Sequence, residues 1–288
     1  MKKKITYLAA LLLILAGYYF LGGADQTDHG LAGEQAPGAA RTAGAQASAD
    51  AQTAGAGTII GLEIPFMADD VDIIEHMGYT VSYNQEYRIP NWVAYELQDS
   101  ELYGDLDRAE KFSPDPEFKG RQAYDSDYSG SGWDRGHMAP AGDMKWSSQA
   151  MQESFYLTNV CPQNHNLNAG VWNDLEKQVR REAKYYGKLW VVSGPIVGSN
   201  RHGRIGSNRV MVPDSFFKAL LAKNRDGKYV SVGFVFPNEA GDNGLASYAM
   251  TVNELEKLIG MDLFYNLDHA VQEQVEDSID LWTDWRIR

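Results

Sequence analysis

The run Asp134-Arg135-Gly136-His137 puts an acid, an arginine and a histidine on one short segment, and Asn168, Glu176 and Arg180 follow further along the chain. Together they supply a general base, a neutral oxygen ligand for a hard cation, a carboxylate and two fixed positive charges. Those are the parts needed for metal-assisted phosphodiester hydrolysis. A phosphodiester in water is shielded by its own negative charge. A catalyst must therefore deprotonate a water near neutral pH and neutralise charge at the phosphate as a fifth oxygen adds. Histidine, with an ordinary pKa of about 6.5, keeps a neutral fraction able to take that proton at pH 7. Guanidinium groups stay charged and fork onto phosphate oxygens. Arg135 and His137 are two residues apart, so in an extended segment both side chains point to one face.

The other half of the constellation needs a helix. Asparagine suits a helix start, and the run from Ala169 to Tyr186 carries Val171, Trp172, Leu175 and Val179 at helical spacing. Steps of four from Asn168 through Trp172 and Glu176 to Arg180 put Asn168, Glu176 and Arg180 in neighbouring sectors of one side. The amide oxygen of Asn168 can bind Mg²⁺ while leaving most of that ion's shell as water, and Mn²⁺ or Ca²⁺ could occupy the same kind of site. Asp134 reads as a hydrogen-bond acceptor for a neighbouring turn. Trp172 reads as core rather than a base-stacking platform. His29, His76, His165, His202 and His269 share no ligand-like spacing with one another or with Cys161, so no zinc site is expected, and His165 could support Asn168 from nearby. Cys161 reads as a small buried filler.

These segments resemble the DNA/RNA non-specific endonucleases with a ββα-metal active site. The likeness rests on Asp134-Arg135-Gly136-His137, on Tyr79–Asn84 and Ile89–Leu97 before it, and on Thr158-Asn159-Val160 and Ser193-Gly194-Pro195 after it. It spans roughly residues 60 to 265. The resemblance implies that His137 is the general base and Asn168 the only direct protein ligand to the metal. It implies that Arg135 and Arg180 contact phosphate, that Glu176 orients metal-bound water and that Asn159 supports the site. It also implies DNA and RNA as substrates. The single cysteine departs from secreted relatives that carry disulfides.

A net charge of −13 looks unsuited to a polyanionic substrate, but the charges are unevenly spread. Residues 177–209 hold eight basic residues against Glu182 alone, a net +7, whereas residues 254–284 hold nine acids against Lys257, a net −8. A basic local face can attract phosphate while the acidic remainder limits nonspecific adhesion. Arg181 and Lys184, beside Arg180, are read as further substrate-binding residues.

Lys2, Lys3 and Lys4 precede an apolar run from Ile5 to Leu21 and then Gly22-Gly23-Ala24, so residues 1–24 read as a signal peptide or an N-terminal membrane anchor. Either places the rest outside the cytoplasm: periplasmic, membrane-anchored facing outward, or secreted. Residues 25–57, dominated by Ala, Gly, Gln and Thr, read as a flexible linker. Residues 58–288 are long enough for one nuclease domain with a single core. Strands are expected at Thr80–Asn84, Trp92–Leu97, Tyr156–Val160, Leu189–Ser193, Val210–Val212, Phe216–Leu221 and Tyr229–Phe236. Helices are expected at Ala169–Tyr186 and Asn253–Ile259, and a mobile loop from Tyr124 to Trp133. Alternating βα units are absent, which favours an α+β fold with a largely antiparallel central sheet flanked by helices. Two other functions use the same parts: a phosphodiesterase for small phosphoesters, and a catalytically silent nucleic-acid-binding protein.

Overall fold

Residues 61–67, 72–241 and 243–287 are described by the structure, a computed structural model. The expected signal or anchor (1–24) and linker (25–57) lie outside the described residues. Among those residues no helix is long and apolar enough to cross a membrane.

In chain order the strands are β1 (Ile73–Glu75), β2 (Thr80–Asn84), β3 (Ile89–Gln98), β4 (Asp134–His137), β5 (Val160–Gln163), β6 (Lys188–Ile196), β7 (Arg204–Ile205), β8 (Val210–Met211), β9 (Ser215–Lys223), β10 (Tyr229–Pro237) and β11 (Ala249–Met250). The α-helices are α1 (Asp125–Tyr128), α2 (Ser148–Ser154), α3 (His165–Leu167), α4 (Asn173–Tyr186), α5 (Val252–Ile259) and α6 (His269–Glu276). Seven strands form one sheet in the order β1-β2-β3-β6-β9-β10-β11. Every neighbouring pair is antiparallel. β4 and β5 form a separate ribbon. This is the ββα-metal fold, α+β with a mainly antiparallel centre.

Every residue of β9 except the last is buried, so both faces of the sheet centre are covered. Side chains alternate along a strand, and Phe216, Leu220 and Ala222 share a core with Leu175, Val179 and Ala183 of α4. Residue 218 is in phase with them. The one buried charge of this strand, Lys218, therefore points at the α4 side, a placement that matters below.

Three expectations change. The strand expected from Tyr156 starts only at Val160, because Leu157–Asn159 form a 3-10 turn that the Asn159 side chain ties to neighbouring backbone. The helix expected from Ala169 begins as a five-residue π turn, Asn168–Trp172, in which Gly170 leaves helical geometry at φ −100°, ψ −118° before α4 starts. Glycine adopts such a conformation without a Cβ clash, and the apolar spacing of Val171, Trp172 and Leu175 conceals the break. The phase linking Asn168 to Glu176 is therefore not that of one continuous helix. Finally, the loop expected from Tyr124 opens with α1. Asp127 anchors it by accepting hydrogen bonds from the backbone N–H of Tyr124 at 2.8 Å and of Asn208 at 3.0 Å.

Candidate active site

β4 and β5 pair with Gly136 opposite Cys161 and His137 opposite Val160, and the chain then turns through α3 and the π turn into α4. The glycine between Arg135 and His137 is required by packing: a Cβ added there would stand 2.2 Å from Oε1 of Gln163. Buried Cys161 lies on the partner strand, and burial pushes its thiol up, as expected for a filler rather than a nucleophile.

Asp134 does more than serve a neighbouring turn. Its Oδ2 accepts a hydrogen bond from Nδ2 of Asn168 at 2.9 Å, and Nδ1 of His165 lies 2.9 Å from the same oxygen. An ionised carboxylate only accepts, so the amide nitrogen must face it and Oδ1 of Asn168 is the end left for a cation. That donor set fits a hard, hydrated ion held through a single neutral oxygen. Among the described residues no group of three or more His, Cys, Asp or Glu is placed to hold a metal.

His137 ends β4 and is buried between Phe112, with ring centres 5.2 Å apart, and Phe155, at 5.0 Å edge to face. Its Nε2 is buried without a hydrogen-bond partner in the structure. Burial, with a smaller contribution from the charge of Arg108, lowers its pKa to about 3. The imidazole is therefore neutral throughout the physiological range. The backbone after it is clamped by Asn159, whose Oδ1 accepts from the Ala139 N–H at 2.8 Å while Nδ2 donates to the carbonyls of Ala139 and Ser154, both at 2.8 Å.

Arg135 shares the face of His137, as the two-residue spacing predicts: its guanidinium lies 5.8 Å from the centre of the same Phe112 ring. It also donates from Nε to Asp125 Oδ1 at 2.6 Å. Asp125 is exposed, and an exposed ion pair contributes little, so an incoming phosphate can displace it.

On α4, Arg180 pairs with Asp143 at 2.7 Å rather than closing onto Glu176 along the helix. Asp143 is buried and also accepts from the Tyr95 hydroxyl at 2.9 Å. Desolvation raises the Glu176 carboxyl to about 7. Asp143 pushes the same way, and Lys218, Arg180 and Arg108 oppose it. Lys218 is fully buried. Its ammonium sits 4.8 Å from the centre of the Trp172 ring and donates to the Met138 carbonyl at 3.3 Å, and burial lowers its pKa to about 8. Trp172 is core, as expected.

The sequence reading missed Asp143, Lys218 and Arg108. Only Lys218 left a signal, as the one charge within the apolar run Phe216–Ala222. Arg181 and Lys184 fall elsewhere. Arg181 donates to Gln178, and both line a depression on the flank of α4 with Tyr185, Arg225 and Arg286.

The chain has relatives among known proteins. Human mitochondrial nuclease EXOG is 39% identical over 211 residues, covering 68% of this chain and 57% of its own length. Human mitochondrial endonuclease G is 34% identical over 197 residues, covering 64% of this chain and 66% of its own. The chain thus spans less than two thirds of these relatives. The crystal structure of an EndoG/EndoGI complex superposes with a TM-score of 0.64 at 29% identity, covering 68% of this chain and 86% of that one. The family pattern described as DNA/RNA non-specific endonuclease matches residues 62–270, and this chain belongs to that family.

Proposed function

We propose that this chain is a metal-dependent endonuclease that hydrolyses phosphodiester bonds within DNA and RNA. One observation carries the reading: the unpartnered Nε2 of His137 belongs to a ring that shares a face with Arg135, on a strand whose Asp134 orients Asn168. Nε2 of His137 takes the proton of the attacking water. Mg²⁺, or Mn²⁺ or Ca²⁺ in its place, would be held through Oδ1 of Asn168 and would offset charge on the phosphate and on the departing oxygen. Glu176 in its ionised form accepts hydrogen bonds from water beside Asn168. Arg135 and Arg180 set positive charge against the phosphate oxygens, and Asn159 holds the backbone on which His137 sits.

The test presents purified protein and Mg²⁺ with covalently closed plasmid, structured RNA and a small phosphodiester. Nicking then linearisation of the plasmid, together with RNA cleavage, is expected. Turnover of the small ester alone would favour a phosphodiesterase, and binding without cleavage a silent nucleic-acid-binding protein. We further propose that residues 1–24 export the domain or anchor it facing outward, because the apolar run follows three lysines. Cell fractionation checks this, and a cytoplasmic pool alone would contradict it.

A further inference from the structure

The depression of about 480 Å³ on α4 is unusually rich in cations. Arg181, Lys184, Arg225 and Arg286 line it, and its one acid, Glu182, is fully buried and already paired with Arg286. Three exposed positive charges are thus left facing one concavity without a compensating acid in its lining. Like charges repel, so such convergence needs local support and implies an anionic ligand. The support is visible. The half-exposed ring of Tyr185 lies under two guanidinium groups, with Cζ of Arg286 3.6 Å and Cζ of Arg225 5.5 Å from its centre. Arg286 is also held at φ 50°, a left-handed backbone that a non-glycine residue adopts only when its surroundings fix it.

We infer that this depression is a second binding site for the phosphates of a single nucleic-acid strand, outside the hydrolytic centre. The inference rests on the proposed nuclease reading for the identity of the anion. Position supports it. Arg181 and Lys184 follow Glu176 on the same helix, about 8 and 12 Å further along its axis. A stacked strand rises roughly 3.4 Å per nucleotide and an unstacked one more, so that is at most about four nucleotides. The helix turns by about 100° per residue, so Arg181 and Tyr185 lie roughly 140° to 180° around from Glu176. A strand leaving the centre must therefore cross the exposed face of α4, which carries Lys177, Arg181 and Lys184. Guanidinium groups grip phosphate, and the outward faces of exposed arginines accept unstacked bases without reading sequence. The site makes binding dependent on strand length.

The test is the affinity of labelled single strands of two and about thirty nucleotides, the shorter unable to reach from the centre to the depression, read in EDTA so that it does not depend on catalysis. With the double variant Arg181→Gln, Arg225→Gln, long-strand affinity is expected to fall about 5- to 10-fold. The slope of its logarithm against log salt should become shallower by about 1.4, two phosphates' worth. Short-strand affinity should be unchanged, and Arg225→Lys alone should keep long-strand binding. Thermal melting confirms folding, since neither variant touches the Arg286–Glu182 pair. Unchanged long-strand affinity, or equal loss on both lengths, overturns the inference. Loss confined to the long strand in a protein that cleaves no polymer would sustain the site and remove the hydrolytic reading.

Discussion

At the scale of single residues, the site separates jobs that its composition alone leaves entangled. Asp134 orients Asn168, so Asn168→Ala should raise the Mg²⁺ midpoint for cleavage and cut the rate by about 100-fold. Asp134→Ala should move the same midpoint by about tenfold, through the lost support of a metal ligand. Titration of Mg²⁺ against rate checks both, and an unshifted midpoint in Asn168→Ala would remove Asn168 from the coordination. The pH dependence separates Glu176 from His137. His137, lowered to about 3, is already neutral above pH 5 and produces no limb there, whereas Glu176, raised to about 7, must lose its proton. The kcat/KM should therefore climb with pH as Glu176 ionises and level off above it, with a midpoint that moves down as Mg²⁺ binds beside the carboxylate. Glu176→Gln should be slower and lack that limb. A limb that persists unchanged in the variant would assign it to another group. The shared face of Arg135 and His137 was legible because they sit two residues apart in one short motif, whereas the bond from Asn168 to Asp134 was not, because it joins residues 34 apart. Asp143 was not, since its partners Tyr95 and Arg180 are far from it in the chain.

At the scale of elements, strands were easier to read than turns. β2 matches its expected bounds, and β6, β9 and β10 extend theirs by a few residues, because apolar alternation and runs report burial directly. The π turn was illegible for a physical reason: it preserves the apolar spacing while shifting the phase that places Asn168. Short helices such as α1 and α2 escape because hydrogen bonds to distant residues fix them more than their own periodicity does. Between α5 and α6 the structure stores a pH-dependent cost. Desolvation raises Glu276 to about 8 and Glu256 to about 7, and each sits near other acids. A carboxyl with a raised folded-state pKa favours the folded state while protonated, so stability should decline as pH climbs from about 4.5 to about 8 and then flatten. Glu276→Gln should stabilise the protein by about 1 to 2 kcal/mol at pH 9 and have little effect near pH 4. Denaturant melts at the two pH values decide it, and equal effects at both would contradict the assignment.

At the scale of the whole molecule, the proposed nuclease reading requires local charge rather than the net −13 to govern the approach of a polyanion. If about three phosphates are neutralised on the duplex, affinity should fall about 40-fold between 50 and 200 mM salt, and a flat salt response would exclude backbone-dominated binding. The linear basic cluster at 177–209 was legible as charge, but not its division. Arg180 turns inward to Asp143, while Arg181 and Lys184 turn to the far depression, a split set by helix rotation and by the tail bearing Arg286. The proposed binding surface and the proposed hydrolytic centre lie apart, which permits the most direct test of the central proposal that His137 is the base. Cleavage of supercoiled plasmid and affinity for the same DNA are measured side by side for His137→Ala in Mg²⁺. The expected result is a loss of cleavage of 1,000-fold or more with affinity within about twofold of the parent. A folded variant that nicks plasmid at close to the parent rate would show that the proton leaves by another route.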